Sequence, residues 1–282
     1  MAVMGVRNIK LTIAYDGTEY HGWQIQPGFR TIQGVLAEAL EGLLGRKVRI
    51  CGASRTDAGV SALGQVGLIQ IDSPIPTENL AKAITDRLPP DMAIVEAVEV
   101  PLGFDVIGAV KSKRYRYAIY NGLVRPVLYI RRCWHIPAKL DIAAMDEAAK
   151  FLVGTKDFKS FATVEDKRED TVRTIFRCEV YSSCGVSRAS CEKKEMDSCL
   201  RRNDNTQYAQ RNMQNEDDWV YVDVEGDSFL YNMVRNIVGT LVEVGVGRWK
   251  AEKIKEILEA KDRTAAGPMA PARGLCLMRV QY

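Results

Sequence analysis

A chain of 282 residues has room for one large domain or two modest ones, and its 46% hydrophobic and 27% charged residues are those of an ordinary globular protein. No apolar run reaches the roughly 18 residues of a membrane-spanning helix, the stretch Met1 to Arg7 is too short and polar for a secretory leader, and seven cysteines without a CxxC pair suit neither a disulfide framework nor a zinc site. The expectation is a cytoplasmic protein with free thiols and no metal, whose net charge of +3 says little about partners.

Asn8 to Tyr15 alternates, with Ile9, Leu11, Ile13 and Tyr15 on one face, which predicts a half-buried strand. Asp16-Gly17 opens a loop that also carries Pro27 and Gly28. Thr31 is a candidate N-cap for a helix whose Ile32, Val35, Leu36, Ala39, Leu40 and Leu43 share a face and which stops near Gly45. Lys47 to Ala53 and Gly64 to Ile71 read as strands, joined by a loop carrying Arg55-Thr56-Asp57-Ala58-Gly59. A helix over Asn79 to Leu88 stops at Pro89-Pro90, and Ala93 to Val100 reads as a strand.

Lys111 to Tyr120 predicts a strand rich in Tyr and Arg. Asp141 caps a helix that Gly154 ends. Strands are expected at Arg173 to Tyr181, Trp219 to Glu225 and Leu275 to Tyr282, and helices at Phe229 to about Gly245 and Ala251 to Ala260. The polar, aperiodic segment Ser182 to Asp218 separates two strands that can pair as a hairpin, so it reads as a disordered surface insertion. The fold class is α+β, in two sheet-and-helix halves divided as 1–103 and 104–282.

Three features carry candidate chemistry. Asp57, two residues after Arg55 on a strand-connecting loop, is either a turn cap or a reactive carboxylate kept charged by a guanidinium. Between Val106 and Leu140 there are eight Lys or Arg and no acid, including Lys111, Lys113, Arg114 and Arg116. This stretch is either a polyanion-binding face or a solvated one. On its strand, Tyr115 and Tyr117 share one face and Arg114 and Arg116 the other, a pattern that suits unpaired bases and phosphates, though a tyrosine is also an ordinary core residue of a strand. Arg235 occupies the narrow polar face of an otherwise apolar helix; Asp57, a phosphate, or a structural partner such as Glu225 or Asp227 would balance it. Trp23 is a candidate for RNA contact or for core.

Short motifs in fixed order resemble the tRNA pseudouridine synthase A family. They are Ala14-Tyr-Asp-Gly-Thr, Gly22-Trp-Gln, Thr31-Ile-Gln-Gly-Val-Leu, Arg55-Thr-Asp-Ala-Gly-Val, Gly64-Gln-Val and Lys113-Arg-Tyr-Arg-Tyr, then Asp157-Phe, Phe229-Leu-Tyr-Asn-Met-Val-Arg-Asn-Ile-Val-Gly-Thr-Leu and Ala270-Pro-Ala-Arg-Gly-Leu. The resemblance implies two pseudo-symmetric halves around a central basic cleft, a homodimer, and isomerisation of uridine on the 3′ side of the anticodon stem-loop of tRNA, without cofactor or metal. It implies that Asp57, Tyr115 and Arg235 are catalytic, and that Arg55, Tyr115, Lys111, Lys113, Arg114 and Arg116 bind RNA.

In that chemistry the target nucleoside is flipped into a pocket. Asp57 attacks the sugar or the base, or takes a sugar proton; the sequence does not choose. Tyr115 stacks on the base and is placed to help remove the C5 proton. Arg235 orients Asp57. Four places in the chain depart from the family pattern. Asp105-Val106-Ile107 follows Phe104 in place of His-Ala-Arg, Ser54 replaces the Gly before Arg55, Ser61 replaces a His after Val60, and Lys156 replaces the His before Asp157. Two competing readings are a non-catalytic RNA-binding relative and a glycoside or nucleoside hydrolase, which needs a second carboxylate opposite Asp57.

Overall fold

The computed structural model describes residues 5–166, 168–183 and 218–282. The protein is α+β, and its chain forms two compact units. The first comprises Met1–Arg116, Glu225–Ser228 and Leu275–Tyr282; the second comprises Tyr117–Val224 and Phe229–Gly274. The units are therefore not two contiguous halves. The last strand returns to the first unit, and the division falls inside two strands, after Arg116 and after Val224.

In the first unit β1 (Arg7–Tyr15) pairs antiparallel with β3 (Ser61–Ile71) on one side and β4 (Met92–Val100) on the other. The register places Ile9 opposite Ile69 and Glu99. Along the other edge of β3, β2 (Ile50–Gly52) pairs antiparallel at Gly67 to Ile69, and β10 (Leu275–Gln281) pairs parallel at Ser61 and Ala62. The period-two pattern of β1 holds, since Ile9, Leu11, Ile13 and Tyr15 are all buried.

Helix α1 (Ile32–Leu44) buries Ile32, Leu36, Ala39 and Leu40, each worth very roughly 1–3 kcal/mol. Its ends are those expected: Thr31 Oγ1 accepts from Gly34 N, and Gly45 takes a left-handed φ of 68°. Helix α2 (Thr77–Thr85) packs on β4. The opposite face of β3 carries a smaller cluster of Ala53, Val66 and Val106, joined by Leu68, Phe104 and Tyr282. Trp23 is core: it is 2% exposed and lies against Gly52. The strand expected over Lys47 to Ala53 is reduced to Ile50–Gly52.

Strand β5 (Ser112–Tyr120) begins in the first unit and ends in the second. The second unit also contains β6 (Trp134–His135), parallel to β5, and β7 (Gly154–Asp157), antiparallel to β8 (Val172–Ser182), with β8 next to β9 (Trp219–Gly226). Helix α3 (Ile142–Lys150), capped by Asp141, packs on β8 and on α4 (Met233–Gly245); α5 (Lys253–Ala260) follows. Helix α3 stops at Phe151, and Gly154, with φ 104°, instead turns the chain into β7.

Helix α4 starts four residues later than its apolar stripe predicts. Asn232 sits at φ 58°, a left-handed conformation that a helix interior does not accommodate. The expected hairpin is present, with Ser183 N donating to Trp219 O at 3.0 Å. The ends of the expected insertion belong to this framework. Ser182 closes β8, while Asp218 accepts from Asn121 N at 2.7 Å through its carbonyl and from Tyr120 Oη at 3.3 Å through its carboxylate. Residues 184–217 lie outside the described residues.

Candidate active site

Pairing of β2 with β3 ends where Ala53 N donates to Val66 O at 2.8 Å, and the chain then loops through Ser54 to Val60 before re-entering β3. The loop is fastened at nearly every residue. Gln65 Nε2, on a fully buried side chain, donates to Ser54 O at 2.8 Å. Thr56 is buried; its hydroxyl lies 2.8 Å from Tyr15 Oη and its carbonyl accepts from Trp23 N at 3.0 Å. Gly59 N donates to Tyr20 O, and Val60 N to Asp57 O.

Gly22 stands so close that a Cβ there would lie 2.7 Å from Thr56 O and 3.2 Å from the Asp57 carbonyl carbon; its φ of +84° is itself a glycine conformation. Asp57 is thereby held half-buried, while Arg55, two residues earlier, is exposed. A functional group on a loop fixed by a rigid scaffold is what catalysis requires.

Strand β5 meets this loop within the first unit. Tyr115 is 7% exposed and its Oη lies 3.1 Å from Ser54 Oγ. Burial pushes its phenol up to about 12, and the neighbouring charge of Asp57 pushes in the same direction. Lys113, on the same face by alternation, donates to Ala53 O at 2.9 Å and to Ser54 Oγ at 3.4 Å, so it fastens the loop as well. Arg114 acts on Glu225, which also accepts from Ser112 at 2.8 Å and Arg279 at 3.0 Å. Arg116 acts on the Cys276 thiol, which burial raises to about 11. Lys111 is exposed, and its backbone N–H donates to Gln281 O at 2.8 Å.

Arg235 belongs to the second unit. Of the thirteen residues of α4, twelve are buried and Arg235 is the exception. Its Nε donates to Ala270 O at 2.8 Å and its Nη1 to Asn232 Oδ1 at 2.9 Å, so the left-handed Asn232 and the 270–273 segment set its direction. That segment is fixed in turn: Tyr117 Oη donates to Pro271 O at 2.7 Å, and Gly239 approaches Pro268 O too closely for any Cβ. Asn236, the next residue of α4, is fully buried and paired, donating to Phe161 O at 2.7 Å and accepting from Arg263 at 2.9 Å. Burial raises the Tyr117 phenol, and Arg235 and Arg273 pull it back. Tyr117 is a core residue, while Tyr115 on the same strand face reaches the Asp57 loop.

Asp57, Tyr115 and Lys113 thus come together in the first unit, and Arg235 is held by its own unit. The supports Gly22, Thr56 and Gln65 did not stand out as functional residues in the sequence, although all three lie in the family-like motifs, and Trp23, a candidate for RNA contact, is a support in the core instead. A glutamine between apolar strand residues was the one local signal. Among the described residues no group of His, Cys, Asp or Glu has the geometry of a metal site, and no helix is long and apolar enough to cross a membrane.

Residues 11–107 and 148–282 match the family model described as tRNA pseudouridine synthase. The chain is 41% identical over 277 residues to tRNA pseudouridine synthase A of Acetivibrio thermocellus, covering 98% of this chain and 100% of that protein. It is 38% identical to the protein of the same name from Caldicellulosiruptor saccharolyticus, with the same coverage. One chain in the crystal structure of a Cbf5-Nop10-Gar1 complex matches with a TM-score of 0.32 and 11% identity, over 96% of this chain and 58% of that one, a likeness too low to support inference.

Proposed function

The chain belongs to the tRNA pseudouridine synthase family and isomerises uridine to pseudouridine in tRNA, and we propose that Asp57 is the carboxylate that performs the chemistry. The observation that carries this is the fastening of the Ser54 to Val60 loop, which holds a half-buried Asp57 beside the buried Tyr115. The substrate uridine lies on the 3′ side of the anticodon stem-loop. It is extruded from the stem, because neither C1′ nor C5 can be reached inside a helix.

The reaction breaks the bond from C1′ to N1, turns the uracil, and forms a bond from C1′ to C5; the hydrogen on C5 leaves and a proton returns to N1. Asp57 assists departure of the base from the sugar. Tyr115 presents its ring to the extruded uracil. A phenol near 12 keeps its proton at neutral pH, so Tyr115 is a stacking face and a hydrogen-bond donor there rather than a base. Water is then the simplest acceptor for the C5 proton. Arg235, whose direction Asn232 and Ala270 set within its own unit, is a catalytic cation in this reading. The exposed Arg55 fits a role on phosphate or in the space left by the extruded base, and Lys111, Arg114 and Arg116 add cations for the backbone.

The family resemblance further supports a homodimer working in the cytoplasm; light scattering of the purified protein tests the dimer. Incubation with unmodified tRNA tests the activity. The proposal expects pseudouridine in the anticodon stem-loop and no free uracil. Binding without product would favour an RNA-binding relative, and release of uracil would favour a hydrolase.

A further inference from the structure

Ser54 departs from the family-like motif, in which a glycine precedes the arginine, and its hydroxyl lies between two side chains of β5. Lys113 Nζ is 3.4 Å from Ser54 Oγ, and Ser54 Oγ is 3.1 Å from Tyr115 Oη. Neither Lys113 nor Ser54 is loose. The same ammonium is anchored on Ala53 O at 2.9 Å, and the Ser54 carbonyl is held by Gln65 at 2.8 Å.

The direction of the hydrogen bonds follows from the groups. An ammonium only donates, so Ser54 Oγ is the acceptor toward Lys113. A hydroxyl has one hydrogen, and with Lys113 on one side that hydrogen is best spent on Tyr115. The phenol oxygen accepts it, and the phenolic hydrogen is directed away from Ser54. A glycine at this position would leave the phenol hydroxyl without this partner.

We propose that Ser54 is a positioning residue, the middle member of a Lys113–Ser54–Tyr115 hydrogen-bond chain that aims the Tyr115 phenol as a donor toward the extruded nucleoside. The proposal rests on Tyr115 belonging to the active site. It concerns how the phenol is oriented, and Ser54 itself touches no reacting atom. Burial of Tyr115 and the charge of Asp57 both keep the phenolic proton in place, as a donor requires.

Single-turnover kinetics of Ser54→Ala, Ser54→Gly and Ser54→Thr on unmodified tRNA test it, with Tyr115→Phe as the second arm. Ser54→Ala and Ser54→Gly should each slow the chemical step about three- to ten-fold, the range of one lost hydrogen bond, with tRNA affinity within about two-fold of wild type. Ser54→Thr, which keeps a hydroxyl, should recover most of the rate. In a Tyr115→Phe background Ser54→Ala should cost nothing further. A wild-type rate for Ser54→Ala, or an equal loss in both backgrounds, overturns the hydrogen-bond chain while leaving a slow Tyr115→Phe to uphold the role of Tyr115. A wild-type rate for Tyr115→Phe removes the premise and the proposal together.

Discussion

Replacing Gly22 with alanine should slow the enzyme about ten-fold or more without unfolding it. The new Cβ would stand 2.7 Å from Thr56 O, 3.2 Å from the Asp57 carbonyl carbon and 3.3 Å from Ala58 N, all backbone atoms of the Asp57 loop. Ordinary contact needs about 3.5 Å, so the loop or the Gly22 segment must retreat by roughly half an ångström or more. The retreat strains the Trp23 N to Thr56 O bond of 3.0 Å.

Two costs add. A left-handed φ costs a residue with a side chain about 1–2 kcal/mol, and overpacking adds about 1–3 kcal/mol. The total of about 2–5 kcal/mol falls within the usual stability margin of about 5–15 kcal/mol, so the variant stays folded. The rate suffers more, because a displacement of about 1 Å can cost about a hundred-fold; about ten-fold or more is expected here.

Gly28→Ala is the control. Its φ of +79° is equally unfavourable, yet among the described residues no atom lies within 4 Å of its would-be Cβ, so it should lose about 1–2 kcal/mol and keep its turnover. Urea unfolding and single-turnover pseudouridine formation read the two effects separately. A Gly22→Ala variant that is destabilised but turns over at the wild-type rate would refute the idea that Gly22 sets the position of Asp57.

Two further predictions concern buried phenols. Tyr117→Phe removes the donor to Pro271 O and should destabilise by about 1–2 kcal/mol in urea. It should also slow turnover through the loosened 270–273 segment that aims Arg235, and an unchanged rate would mean that this segment does not hold Arg235. At alkaline pH the sign follows from Tyr115, whose folded value of about 12 lies above the ordinary 10. The unfolded chain then loses this proton first, so the contribution is complete below pH 10 and declines between pH 10 and pH 12. One such group accounts for at most about 2–3 kcal/mol. Unfolding free energies at pH 8, 10 and 11 should fall in that order, and less steeply for Tyr115→Phe; parallel curves would contradict the assignment.

The periodic elements were legible in the sequence because their signals are local. Helix α1 carried its N-cap at Thr31, its apolar stripe and its terminal Gly45 within fifteen residues, and all three appear as read. The start of α4 was misplaced for the converse reason: Phe229 and Leu230 continue the apolar stripe, and nothing local reveals the left-handed Asn232. The unit boundaries were equally hidden, since the return of β10 to β3 joins residues more than two hundred positions apart.

The candidate site follows the same rule. Asp57 is visible as a loop carboxylate, and motif order singles it out. The atoms that hold it come from β1, from the turn before α1, from β3 and from β5, and no pattern within a short window links them. Lys113 shows the limit most clearly. As part of a basic stretch it read as an RNA contact, but its ammonium reaches the backbone at the mouth of the Asp57 loop.

The most direct measurement is single-turnover conversion of unmodified tRNA by Asp57→Asn, with binding measured on the same preparation. The substitution keeps the shape of the side chain and removes its charge. Pseudouridine formation should be abolished while tRNA affinity stays within a few-fold of wild type. Product formed by the Asn variant at the wild-type rate would contradict the claim that this carboxylate carries the isomerisation.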